Sequence, residues 1–236
     1  TTSTINLASQ VIRHEGQTNH SYTLPTQTIP GGGYLALSES TLGFRPADGD
    51  RLFLLGPGET TILDGARAAV AARARSNVLD GRWQTPQSVT PGAANSFNFN
   101  NDIVINEVMY NHQPTLPYAD DPEEWIELYN RGATAVSLSG WKFADGVDFT
   151  FPAGTVINSG AYLVIARDAV ALSATYPALS NIVGSFSGKL ANGGERIELL
   201  DAVGNIADEL HYFDGGRWPE FADGGGSSLE LRNPAA

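Results

Sequence analysis

Apolar and polar positions alternate along most of this chain. Ile103 and Ile105 alternate with Val104 and Asn106, and Ile126 and Leu128 with Trp125, Glu127 and Tyr129. Farther on, Ile197 and Leu199 alternate with Glu198 and Leu200, and Ile206, Asp208 and Leu210 with Ala207 and Glu209. A period of two over such short runs predicts strands. Between them stand turn residues: Asn130-Arg131-Gly132, Ala144-Asp145-Gly146, Asn158-Ser159-Gly160, Asn192-Gly193-Gly194 and Asp214-Gly215-Gly216. Gly, Asn and Asp supply the positive φ angles of tight turns. Many short strands at this spacing predict a sandwich or barrel. One stretch runs against the pattern. Ala66 to Arg75 has the composition of a helix.

The pattern also repeats. Phe149-Thr150-Phe151-Pro152, Gly160-Ala161-Tyr162-Leu163, Gly194 to Leu200 and Gly216-Arg217-Trp218 follow one another in the second half. In the first half Tyr22-Thr23-Leu24-Pro25, Gly32-Gly33-Tyr34-Leu35, Gly49 to Leu55 and Gly81-Arg82-Trp83 keep the same order. Four landmarks in one order predict an internal duplication. The alignment sets Ile62-Leu63-Asp64 against Ile206-Ala207-Asp208, so an irregular strand is expected where composition suggests a helix. Residues 102–110 and 124–130 have no counterpart in the first half, so the first copy is expected to lack its N-terminal strands. The expected modules are residues 1–96 and 102–236, joined by the short polar stretch Asn95 to Asn101.

Composition narrows the function classes. Hydrophobic residues make up 42% and charged residues 17%, so the chain is globular rather than disordered. No cysteine is present, which removes disulfides, thiolate metal sites and cysteine nucleophiles. No apolar run reaches the ~20 residues of a membrane helix. The net charge of −12 falls entirely on residues 101–236, while residues 1–100 carry seven acidic and seven basic side chains. Duplex DNA is therefore not an expected partner, because such binding neutralises phosphates. Any exception would fall on Arg67, Arg73 and Arg75.

The second module contains Ile105-Asn106-Glu107-Val108, Glu124 to Asn130, Val136 to Trp141, Phe151-Pro152, Gly160 to Leu163 and Glu195 to Asp201. In these residues it resembles the bacterial lamin tail domain, an immunoglobulin-like fold. The first module is similar to the later part of the same family, down to Ser88-Val89-Thr90-Pro91-Gly92. The resemblance implies an all-β protein of two tandem immunoglobulin-like β-sandwiches. It implies an accessory module of a large secreted or cell-surface protein, whose partners are neighbouring domains, and no catalytic residues. The expected role is non-catalytic binding or spacing. The alternatives are a carbohydrate- or calcium-binding adhesion module and, behind these, a hydrolase. A first module short of strands needs a cover, and a second copy of the chain in a homodimer is one candidate.

Candidate chemistry is sparse. Asp120, Asp121, Glu123 and Glu124 form the densest acidic cluster and offer hard oxygens to calcium. The spacing of a calcium loop is absent, and a solvated acidic loop explains the cluster equally. Trp125 and Tyr129 share a strand face and offer rings for sugar stacking; the alternative is that they cover the sheet. Glu107 and Glu127 are paired carboxylates of the kind glycosidases use, but strand residues satisfied by hydrogen bonds explain them better. Trp141 is expected in the core, and Trp83 and Trp218 in one shared structural role. His14, His20, His112 and His211 form no metal motif. No cofactor is expected apart from the calcium alternative.

Overall fold

Turns cut the chain into short strands, and those strands pair mostly antiparallel. The computed structural model describes residues 3–76, 81–112 and 124–234. It divides into two units, Thr1–Asn98 and Phe99–Ala236.

The first unit contains β1 (Ile5–Asn6), β2 (Val11–Glu15), β3 (His20–Thr23), β4 (Thr28–Ile29), a one-turn helix α1 (Glu39–Leu42), β5 (Arg51–Leu55), β6 (Ile62–Arg67), β7 (Ala74–Arg75) and β8 (Trp83–Gln84). Its one large sheet has the order β3-β2-β5-β6, all antiparallel. Two small ladders, β1–β4 and β7–β8, stand apart from it. Residues 68–73 carry no helix, so the repeat predicts this stretch better than composition does.

The second unit contains β9 (Ile103–Met109), β10 (Trp125–Asn130), β11 (Val136–Ser137), β12 (Lys142–Asp145), β13 (Val147–Thr150), β14 (Val156–Ile157), β15 (Tyr162–Ala166), α2 (Ala169–Thr175), β16 (Ile182–Gly184), β17 (Ser187–Gly188), β18 (Gly194–Leu200), β19 (Ile206–Phe213) and β20 (Leu229–Glu230). Two five-stranded sheets face each other. The front sheet has the order β16-β15-β10-β9-β20, and the back sheet β17-β13-β12-β18-β19. Between them lies one apolar core that includes Ile103, Ile105, Ile126, Leu128, Leu138, Trp141, Phe143, Phe151, Ile197, Leu199 and Tyr212. This is an all-β sandwich, as the alternation predicts, of the immunoglobulin-like kind that the resemblance implies. The Asp208 carboxylate ties the sheets together by accepting the Ile105 N–H at 2.7 Å. Burial pushes that carboxyl above its ordinary value.

The two units share the strand order of one layer. Sheet β3-β2-β5-β6 matches β13-β12-β18-β19 in order and direction, and β1–β4 matches β11–β14. Even the register shift recurs, between Leu54 and Leu55 in one copy and between Leu199 and Leu200 in the other. The front sheet has no equivalent among the described residues of the first unit. There Tyr34 and Leu35, which align with Tyr162 and Leu163 of β15, lie outside any strand and are exposed. Asp64 aligns with Asp208, and with no front strand to accept from, it accepts the Arg75 guanidinium instead. The shared role expected for Trp83 and Trp218 is not met either. Trp218 packs against the core, whereas Trp83 is 39% exposed beneath the Arg75 guanidinium. No helix is long and apolar enough to cross a membrane among the described residues.

Candidate functional site

Strand β10 alternates as its sequence predicts. Ile126, Leu128 and Asn130 are buried inward, and Trp125, Glu127 and Tyr129 are half-buried on the outer face. The neighbouring strand β9 departs from simple alternation. Glu127 pairs with Glu107 but Leu128 pairs with Ile105, so Asn106 is an extra residue in a β-bulge. The bulge turns the Asn106 side chain toward β10, where its Nδ2 donates to Glu127 Oε1 at 2.8 Å. Its Oδ1 is buried without a partner.

Glu127, Glu107 and Glu230 are successive cross-strand partners on β10, β9 and β20. Like charges at such positions oppose the fold. Ser228 donates to Glu107. Glu127 has no cation beside it among the described residues, and its carboxyl lies above its ordinary value. Burial is the main cause, and Glu107 and Glu230 add to it, against the Asn106 hydrogen bond. A carboxyl raised in the folded state holds its proton longer than in the unfolded chain. Its contribution to stability therefore falls as pH rises from the ordinary carboxylate value through the raised one. Glu127→Gln is expected to remove that fall and to raise Tm slightly at pH 7. Melting curves of both proteins from pH 4 to 8 check this; a Tm lowered at pH 7 contradicts it.

Glu127 borders a pocket of about 260 Å³ whose other walls are Met109, His112, Trp125, Val164, Leu172, Tyr176 and Leu179. Helix α2 builds one side. Its first turn is fixed by Asp168, which accepts the Val170 and Ala171 N–H groups at 3.0 and 2.9 Å. Leu172 then packs with Val164, Ala166 and Trp125. The result is a small, mainly apolar hollow with the Glu127 carboxyl and the His112 imidazole among its walls.

Trp125 and Tyr129, expected as one stacking stripe, part ways. Trp125 lines the pocket, while Tyr129 pairs with Tyr162 at a centroid distance of 4.6 Å. Asp120, Asp121 and Glu123 lie outside the described residues. Glu124 is buried at 1% exposure and is engaged within the fold. Its Oε2 accepts the Leu190 N–H at 2.9 Å, and its Oε1 faces Arg167 Nη1 at 3.3 Å. It is a structural carboxylate. Among the described residues no group of three or more His, Asp or Glu side chains is arranged to hold a metal ion. Sequence reasoning missed Leu172, Tyr176 and Leu179. The Asp168 cap ahead of an apolar stretch was the available signal.

Comparison with known proteins follows this geometry. Residues 98–214 match the family model described as Lamin Tail Domain. Among solved structures the chain is similar to a DUF4876 family protein from Bacteroides thetaiotaomicron, with 12% identity and a TM-score of 0.27. That alignment covers 72% of this chain and 46% of the other, so this chain spans less than half of that protein's length. A likeness that slight says nothing of function. No curated protein matches the sequence.

Proposed function

Because residues 98–214 belong to the lamin tail domain family, we propose that this chain is a non-catalytic binding module of a larger exported or cell-surface protein. The ligand class is a small organic cation, an alkylammonium group, held in the pocket over Trp125 and Glu127. Domains of this family are in general not catalytic, and their fold serves many roles. One observation carries the binding reading: a half-buried carboxylate that opposes the fold is kept at the edge of an apolar hollow. A cation there offsets the repulsion from Glu107 and Glu230. Its alkyl part takes the place of water against Met109, Val164 and Leu172. Trp125 and Tyr176 add ring faces, which attract cations. The net charge of −12 draws such ligands to the protein. Sugar stacking on Trp125 and Tyr129 together loses support, since the two rings serve different neighbours.

Calorimetric titration of the full chain with butyltrimethylammonium tests the reading, with a neutral alcohol of the same shape as control. Saturable binding of the cation alone is expected, weakened about tenfold or more in Glu127→Gln and in Trp125→Ala. No saturable binding, or unchanged affinity in both variants, refutes it and leaves the structural-spacer role.

A further inference from the structure

The two copies of the back-sheet layer differ most in charge at one set of register positions. In the second unit Arg196 sits among carboxylates: Glu209 at 2.6 Å, Asp145 at 3.5 Å, and Glu198. The ladder places Asp145 beside Glu198, Glu198 beside Glu209, and Arg196 beside His211. The first unit has Arg13 beside Phe53, Phe53 beside Gly65, and Arg51 beside Arg67 at the same positions. Three carboxylates have become an arginine, a phenylalanine and a glycine, and the histidine has become an arginine. Arg51 and Arg67 face each other directly across the strands, an arrangement that works against pairing.

Arg51, Phe53, Gly65 and Arg67 line a groove of about 620 Å³, completed by Arg73, Trp83 and three alanines. Gly65 keeps its floor low, because a Cβ there would stand 3.3 Å from the Phe53 ring. Arg51 has one carboxylate partner, Glu15 at 2.9 Å, and Arg13 has Glu59. Arg67 and Arg73 are exposed and have no carboxylate partner among the described residues. Arg75 holds the Trp83 indole in place, lying over its ring at 4.8 Å while bonded to Asp64 and to the Gly81 carbonyl.

We propose that this groove is a binding site for an acidic saccharide, a short uronic-acid oligomer. Guanidinium forks pair bidentately with carboxylates, and an indole packs against the apolar face of a sugar ring. The groove offers one exposed ring at its rim, Trp83, with Phe53 set on the floor against Gly65. Single-stranded nucleic acid is instead held by a row of stacking platforms along a phosphate track. This site is independent of the cation pocket of the second unit.

The test is calorimetric titration of the full chain, at low salt, with a galacturonate tetramer, a neutral galactose tetramer and a short single-stranded DNA oligonucleotide. The uronate oligomer binds and the neutral one does not. Binding weakens about tenfold or more in the Arg67→Gln/Arg73→Gln variant and in Trp83→Ala. Both arginines are exposed and have no carboxylate partner among the described residues, and Arg67 stands opposite Arg51, so the double variant folds with a Tm equal to or slightly above that of the wild type. Absence of uronate binding, or equal affinity in the double variant, overturns the proposal. Tighter binding of DNA than of the uronate oligomer overturns the saccharide assignment.

Discussion

Expressed by themselves, residues 99–236 fold and residues 1–98 do not. The second unit buries one continuous core between two five-stranded sheets, with Tyr110, Tyr212, Phe143 and Phe151 almost fully enclosed. The first unit's buried apolar side chains among the described residues are Leu7, Val11, Leu24, Phe44, Leu55 and Ala74. Its sheet residues Ile12, Leu52 and Leu54 align with core residues of the other copy but are only half-buried. Ordering each residue costs about 1–2 kcal/mol of backbone entropy, which a single sheet with so small a core does not offset. Partial cover comes from a ring stack of His14, His20 and Phe44, with centroids 5.2–5.5 Å apart. His14 Nε2 also meets Asp50 Oδ2 at 2.8 Å. That bond, with the Ala47 N–H, holds the Asp50 carboxyl below its ordinary value. The expected results are one cooperative melt for 99–236, and aggregation or no transition for 1–98 by calorimetry and light scattering. A monomeric 1–98 fragment with a cooperative melt would show that one layer suffices.

Glu124→Ala is expected to destabilise the second unit by about 2–4 kcal/mol, since it leaves a buried N–H without its acceptor and a part-buried arginine without its carboxylate. The side chain is almost wholly enclosed, and it serves two elements far apart in sequence. Oε2 receives the Leu190 N–H, Oε1 faces Arg167, and the Glu124 carbonyl accepts the Arg167 N–H at 2.8 Å. Truncation strips the Leu190 N–H of its acceptor inside the core, where an unpaired polar group is costly. Glu124→Gln keeps an acceptor without the charge and is expected to fall between the two. For a unit of this size the alanine variant lowers Tm by roughly 10–15 °C. A shift under about 2 °C contradicts the account, since surface carboxylates behave that way. Calcium is expected to change neither melt through this residue.

The strands and their faces were legible because alternation records burial directly. Trp125 to Asn130 shows this best, since the residues set inward and outward by sequence are so placed in the fold. The expected repeat set an irregular strand against the helix that composition suggests for Ala66 to Arg75, and residues 68–73 carry no helix. What alternation does not record is what lies across from a face. Tyr34 and Leu35 copy Tyr162 and Leu163, yet without β10 beside them they form no strand. Trp83 and Trp218 share their Gly-Arg prefix, yet only Trp218 meets a core. Glu124 looked like one acid among several in a loop, because its partners Arg167 and Leu190 come from distant segments. The pocket depends on where α2 lands and the Glu127 hydrogen bond on the Asn106 bulge, and neither has a periodic signature.

The proposed ligand site is the hollow beside Glu127. The most direct test is amide chemical-shift mapping of the full, isotope-labelled chain during titration with butyltrimethylammonium. The account predicts saturating shifts centred on Met109, Trp125, Glu127, Val164, Leu172 and Tyr176, absent in Glu127→Gln. Shifts centred on other residues, or none at all, would contradict it.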